Sequence, residues 1–450
     1  MTEPAAHVVD PLSYVPVVLA AAESLPREAE VRSYMDAFAA AETRGYFLPD
    51  EDERLREIYA RYLAVRTSLL ECVRAISAGK YQADATPSLE AFLVAFSAAT
   101  ILVRSASYLV ALAEAHPLVK VKLDEAEPRY GLERNSFTQV YKSLTSPRRW
   151  WGFDDAVHYF RRHREGIEAL ESHEDLRPLV GLIRGEEAFF SARREDFLQS
   201  RLRYRIHSYL RRRRSGYQKT MFQLFRISGS AIAELKQPFV KPRGAGKRVT
   251  PEIRARLESF LQPGDVLVTR HDDAVSNLFL PGFWPHAAFY IGSNHQRARL
   301  GLEPHEGIGE DIRFLEAKKD GVRLRPPEDT LQVDAFTVLR PQLAAEAVAL
   351  VIARGLTHAG KLYDFIFDFS SADRLACTEL VYRSYHGVAD VRFELQPHAG
   401  RVCLSAEDLI NQAVGAGYFE PVLVYGLDGD SWVEGPDAQV QLRQSFASRF

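Results

Sequence analysis

Near residue 245 the hydrophobic period of the sequence changes, and one uniform fold cannot accommodate both sides of that change. Up to about Gly244 apolar residues recur at helical spacing; after Pro251 they fall into short β-rich runs. Between the two lies Lys236 to Thr250, KQPFVKPRGAGKRVT, with two prolines, two glycines, five basic residues and no apolar period. Such a stretch reads as a linker. A chain of 450 residues suggests two or three domains, so the expected division is a helical domain over 1–245 and a second domain over 251–450.

In the first part, Asp50 and Glu53 precede Leu55, Ile58, Tyr59, Tyr62, Leu63 and Leu69, which predicts a capping box opening a helix that runs to about Ile76. Helical patterns recur over Glu28–Ala41, Phe153–Leu170 and Glu186–Tyr209. Ala91 to Ala113 is long and apolar enough to span a bilayer. Arg104 sits at its middle among Ser97, Thr100, Ser105 and Ser107, and a central Arg costs about 2.5–3.5 kcal/mol on insertion. The expectation is a buried helix of a bundle.

In the second part a short helix (Pro251–Leu261) leads into PGDVLVTR, PHAAFYIG, IRFLEAKKDGVRLRP and FTVLRP. These runs are bounded by Gly, Pro and Asp and spaced like an antiparallel sheet. Helices follow over Gln342–His358 and from near Cys377, with FEPVLVYG as a last strand. The fold class is α+β: an N-terminal helical bundle, then an antiparallel sheet packed on helices.

Three cysteines, Cys72, Cys377 and Cys403, are too few for a disulfide scaffold, and an odd count leaves at least one thiol free. Cys377 lies at the predicted start of a helix, where unpaired N–H groups and the positive end of the dipole favour thiolate and could hold an oxyanion. His286 opens a strand and shares a face with Ala288 and Tyr290, leaving space beside the imidazole. Glu316 lies on the next strand with Phe314, and a carboxylate on a half-buried strand needs a partner such as an imidazolium. Each has a plainer reading alone: a small buried thiol, a structural histidine, a surface glutamate. Together they supply the nucleophile, base and orienting acceptor of thiol catalysis.

The order LQPGDVLVTR, WPHAAFYIG, FLEA, GKLYDFIFDF and CTELVYRSY resembles the permuted papain-like amidases of the YiiX type. These fall within the NlpC-type cysteine hydrolase superfamily and are related to the lecithin–retinol acyltransferase-like enzymes. The permuted branch has histidine before cysteine, as His286 precedes Cys377 here. The resemblance covers Leu261 to Tyr425 and implies a circularly permuted papain-like domain. It places the nucleophile on Cys377, the base on His286 and the third member on Glu316, the position that varies most in the superfamily. Tyr363 matches the aromatic before the cysteine helix, and Tyr290 and Tyr363 are expected to contact substrate. The stretch from Ser293 to Asp311 is longer than a tight connection and could form a lid or partner-binding loop.

The implied activity is hydrolysis of an amide or ester through a thioester, on a substrate such as a lipid or an acylated peptide. Two alternatives are a lipid acyltransferase or phospholipase, and a binding module without activity. A formal net charge of −3 disfavours a nucleic-acid-coating protein. Arg201 to Thr220 has eight basic and no acidic residues, with three tyrosines interleaved. It reads as a solvated helix face, or as an anionic-membrane contact through Arg211, Arg212, Arg213 and Arg214. No HExxH or CxxC occurs, so neither a metal nor another cofactor is expected. GAGKR fails the phosphate-loop pattern. The Trp150–Trp151 pair reads as core or interface packing. Low cysteine use and a start, MTEPAAHVVDPLSY, without a signal-like apolar core suggest a cytoplasmic location, with peripheral membrane contact as the extension.

Overall fold

The computed structural model describes residues 10–25, 34–80, 88–191, 246–272, 283–305, 307–365, 367–398 and 401–447. Arg211 to Arg214 and the C-terminal part of the predicted Glu186–Tyr209 helix lie outside them. The chain divides into two units, one of Met1–Phe47 with Glu51–Ser215 and one of Leu48–Asp50 with Gly216–Phe450.

The first unit is helical. The longest described helix, Pro49–Lys80, belongs to it from Glu51 onward; Pro49 occupies the first turn, where a missing N–H costs nothing, and Asp50 is not the cap the sequence suggested. The acidic run Asp50–Glu53 instead sits at the positive end of the dipole. The helix Leu89–Ala115 begins at Ser88, whose Oγ accepts the Ala91 N–H at 3.2 Å. It is the one described helix long and apolar enough to cross a membrane. Here it forms the common wall of two cores: Leu93, Phe96 and Ile101 pack into one, Val110, Leu112 and Ala113 into the other. Its central Arg104 is ion-paired with Glu186. Trp151 is 59 % exposed, against the expectation of core packing; its long apolar surface did not distinguish an inward from an outward helix face.

The second unit is built on a seven-stranded antiparallel sheet: β1 (Val266–Arg270), β2 (His286–Tyr290), β3 (Phe314–Lys318), β4 (Gly321–Arg325), β5 (Ala335–Pro341), β10 (Phe419–Tyr425) and β11 (Trp432–Glu434). Its spatial order is β11-β10-β5-β1-β2-β3-β4. A parallel pair, β6 (Leu362–Tyr363) and β7 (Arg374–Leu375), and a hairpin, β8 (Gln396–His398) with β9 (Arg401–Cys403), lie outside it. This is the α+β arrangement expected, a helical region followed by an antiparallel sheet domain.

The PGD turn before β1 shows why those residues stand there. Gly264 has φ +94°, and an added Cβ would come within 3.0 Å of Val348. The Asp265 carboxylate is fully buried; it accepts the Gln262 N–H at 2.8 Å and both an Nε and an Nη of Arg340, at 3.0 and 2.8 Å. One sheet face carries Leu267, Ala288, Tyr290, Phe314, Phe336 and Val338, packed with Leu257 of the helix Pro251–Phe260. On the other face the helix Cys377–Tyr385, buried along its whole length, packs Tyr385 edge-on to Phe289 with ring centroids 5.6 Å apart. The Tyr385 hydroxyl donates to the Gly264 carbonyl, fixing this helix to the turn. Within the Ser293–Asp311 stretch, Asn294–Arg299 is a short helix opened by a Ser293–Gln296 capping box.

Candidate active site

His286 is the first residue of β2, paired with Thr269 of β1, and its side chain is 18 % exposed. Its Nε2 donates to Glu316 Oε1 at 2.8 Å. The register that pairs Tyr290 with Phe314 brings Glu316 alongside β2, because period-2 alternation keeps His286, Ala288 and Tyr290 on the face of Phe314 and Glu316.

Glu316 is 1 % exposed and well satisfied. Its Oε2 accepts the Thr330 hydroxyl at 3.1 Å and faces Lys318 Nζ at 2.9 Å and Arg325 Nε at 3.3 Å. Burial pushes this carboxyl up, but the His286 hydrogen bond and the Lys318 charge outweigh it, so its pKa lies below the usual value. The group is therefore a carboxylate facing an imidazole.

Cys377 is the first residue of its helix and 2 % exposed. Burial raises a thiol's pKa. Here the charge and hydrogen bond of His286, together with backbone N–H groups of Ala287 and Thr378, reverse that and lower it. The effect is reciprocal: burial lowers His286, while the sulfur and Glu316 push it up to about 9. With Nε2 committed to Glu316, the other ring nitrogen, Nδ1, is left for the sulfur. The arrangement favours the thiolate–imidazolium form of the pair. Thr378 and Ala287 N–H groups already turned toward the sulfur are suited to a developing oxyanion.

Tyr363 joins this group. The parallel pairing of Tyr363 with Leu375, two residues before Cys377, holds the phenol near the thiol, whose charge contributes to raising the phenol's pKa after burial itself. Tyr290 does not join it. Its ring is buried in the sheet core, 5.2 Å from Phe314, and its hydroxyl donates to Gln296 Oε1 at 3.2 Å. Four residues at about 3.3 Å each separate it from His286 along the same face of the strand.

Sequence reasoning missed the cations on Glu316 and the support under the cysteine. Lys318 was findable, since it follows Glu316 by two residues on the same face; Thr330 and Arg325 reach it only through tertiary folding. Below Cys377, Glu379 Oε2 accepts the Ala376 N–H at 3.4 Å and its Oε1 the Arg383 Nε at 2.8 Å. Arg383 in turn donates to the Phe369 and Ser371 carbonyls, at 3.4 and 3.1 Å, tying the loop before Cys377 to the helix. The other thiols differ. Cys72 is buried in the Pro49–Lys80 helix, and burial raises its pKa; Cys403 closes β9. Among the described residues no group of His, Cys, Asp and Glu could hold a metal ion.

Residues 260–423 match the family model of the permuted papain-like amidase enzymes, YaeF/YiiX, C92 family. The match spans His286, Glu316, Tyr363 and Cys377, supports the resemblance read from the motifs, and at family level supports a cysteine hydrolase. No curated protein and no solved structure matches the chain.

Proposed function

We propose that the C-terminal unit is a cysteine amidase that works through a thioester, with Cys377 as nucleophile, His286 as base and acid, and Glu316 orienting the imidazole. The observation that carries this reading is the position of His286, bonded at 2.8 Å to a buried carboxylate and interacting with the Cys377 sulfur. The Cys377 thiolate attacks the amide carbonyl carbon, and the carbonyl electron pair moves to oxygen, where the N–H groups at the helix start receive it. As the tetrahedral intermediate collapses, the C–N bond breaks and the His286 imidazolium gives its proton to the leaving nitrogen. Water then attacks the thioester, His286 takes a proton from it, and the acid leaves as the thiolate returns.

Tyr363, beside the nucleophile, is assigned to substrate contact. An ester would follow the same course with an alcohol as leaving group.

The test is to incubate the full chain with a p-nitrophenyl ester and map the adduct by mass spectrometry. Acylation confined to Cys377, and lost in His286→Ala, is the expected result. Turnover that persists in Cys377→Ala would overturn the assignment.

A further inference from the structure

We propose a second ligand site, in the helical unit, for a long-chain fatty acid. A cavity of about 480 Å³ runs beside the helix Leu89–Ala115, within the roughly 300–1,000 Å³ of small-molecule sites. Its walls are mainly apolar, with Leu70, Val73, Phe92, Phe96, Val103 and Phe153 among them. At one corner two arginines converge on a single neutral acceptor: Arg66 Nη2 donates to Ser143 Oγ at 3.4 Å, and Arg149 donates to the same oxygen.

That corner is positively charged, with Arg66 half-buried and Arg149 exposed at the cavity's open side. Among the described residues neither Arg66 nor Arg149 forms an ion pair with a carboxylate, whereas Arg74, the third arginine on the wall, is paired with Glu71 at 2.5 Å. A hydroxyl can accept both N–H groups but carries no charge to set against two guanidinium groups, and among the described residues the cavity lining includes no acidic residue. A carboxylate fits there because its two oxygens accept guanidinium N–H groups in parallel. The apolar walls then take an unbranched alkyl chain, removing it from water as a charged, hydrophilic ligand would not require. The site draws on no residue of the Cys377 group.

The experiment titrates the full chain with a fluorescent long-chain fatty acid and displaces it with palmitate or with hexadecanol, the same tail without the charge. Saturable binding, with palmitate about tenfold or more tighter than hexadecanol, is expected. Arg66→Gln with Arg149→Gln should abolish that preference while hexadecanol binding persists. Ala99→Phe, which fills the wall, should remove both, with circular dichroism confirming the fold. Absence of saturable binding, equal affinity for acid and alcohol, or an unchanged preference in the double arginine variant would overturn the proposal. So would retention on anionic phospholipid vesicles that soluble palmitate does not compete away and the double variant does not weaken.

Discussion

His286 Nε2 and Glu316 Oε1 stand 2.8 Å apart across neighbouring strands, so one imidazole nitrogen is committed to a buried carboxylate and the other is left for the Cys377 sulfur. The His286 bond and the Lys318 charge hold the carboxylate ionised, and Arg325 and the Thr330 hydroxyl also face it. Glu316 thereby holds the Nε2 side of the ring and, after Cys377, adds to the influences that raise the His286 pKa.

Glu316→Gln keeps the size of the side chain but removes the charge that favours imidazolium. The expected outcome is a fall in kcat of roughly 10²-fold with the same ester substrate. Steady-state kinetics check it, and an unchanged kcat would mean that Glu316 does not act on His286.

The pH–rate profile should be bell-shaped. On the acid side activity is lost as the thiolate takes up a proton, at a pH below the ordinary thiol range because the Cys377 pKa is lowered. On the alkaline side it is lost as the imidazolium gives up its proton, near pH about 9. In Glu316→Gln the alkaline limb should move to lower pH, since one of the influences raising His286 is gone. An alkaline limb that stays in place would contradict the assignment.

The two tyrosines should separate. Tyr363→Ala is expected to raise KM several-fold while Cys377 remains alkylatable. Tyr290→Phe should leave KM and kcat unchanged and lower stability by about 1 kcal/mol, through loss of the Gln296 bond. Kinetics and urea unfolding of both variants distinguish these outcomes.

Arg340→Ala should destabilise the C-terminal unit by about 3–5 kcal/mol, because it leaves Asp265 buried without its cation. Urea denaturation followed by tryptophan fluorescence measures this, Trp284 being buried in that unit. A midpoint equal to wild type would show that the pair is not needed to hold the turn.

The positions of the candidate site residues were legible where one residue carries a local rule. Cys377 announced a helix start, His286 a strand start, and alternation in FLEA put Glu316 on the correct face. Alternation alone says nothing of distance along a strand, and for that reason Tyr290 read as a site residue while its ring fills the core. Asp50 looked like a cap because acidic residues serve both as caps and in the first turn; Pro49 decided between them. Ser293 and Gln296 had the spacing of a capping box inside a stretch read only as a long loop. Of the other groups around Glu316, Arg325 comes from β4 and the Thr330 hydroxyl from the turn after it, and no local pattern links those to a residue of β3.

In the proposed mechanism His286 makes Cys377 a thiolate. The direct measurement is the rate of iodoacetamide alkylation of each cysteine in the native full chain, from mildly acidic pH to about pH 9, with peptide mapping. Cys377 should react at neutral pH and below, Cys72 only after unfolding, and His286→Ala should shift Cys377 reactivity toward the ordinary thiol range. Equal labelling of Cys377 and Cys72 at neutral pH, or a Cys377 profile unchanged in His286→Ala, would contradict the account.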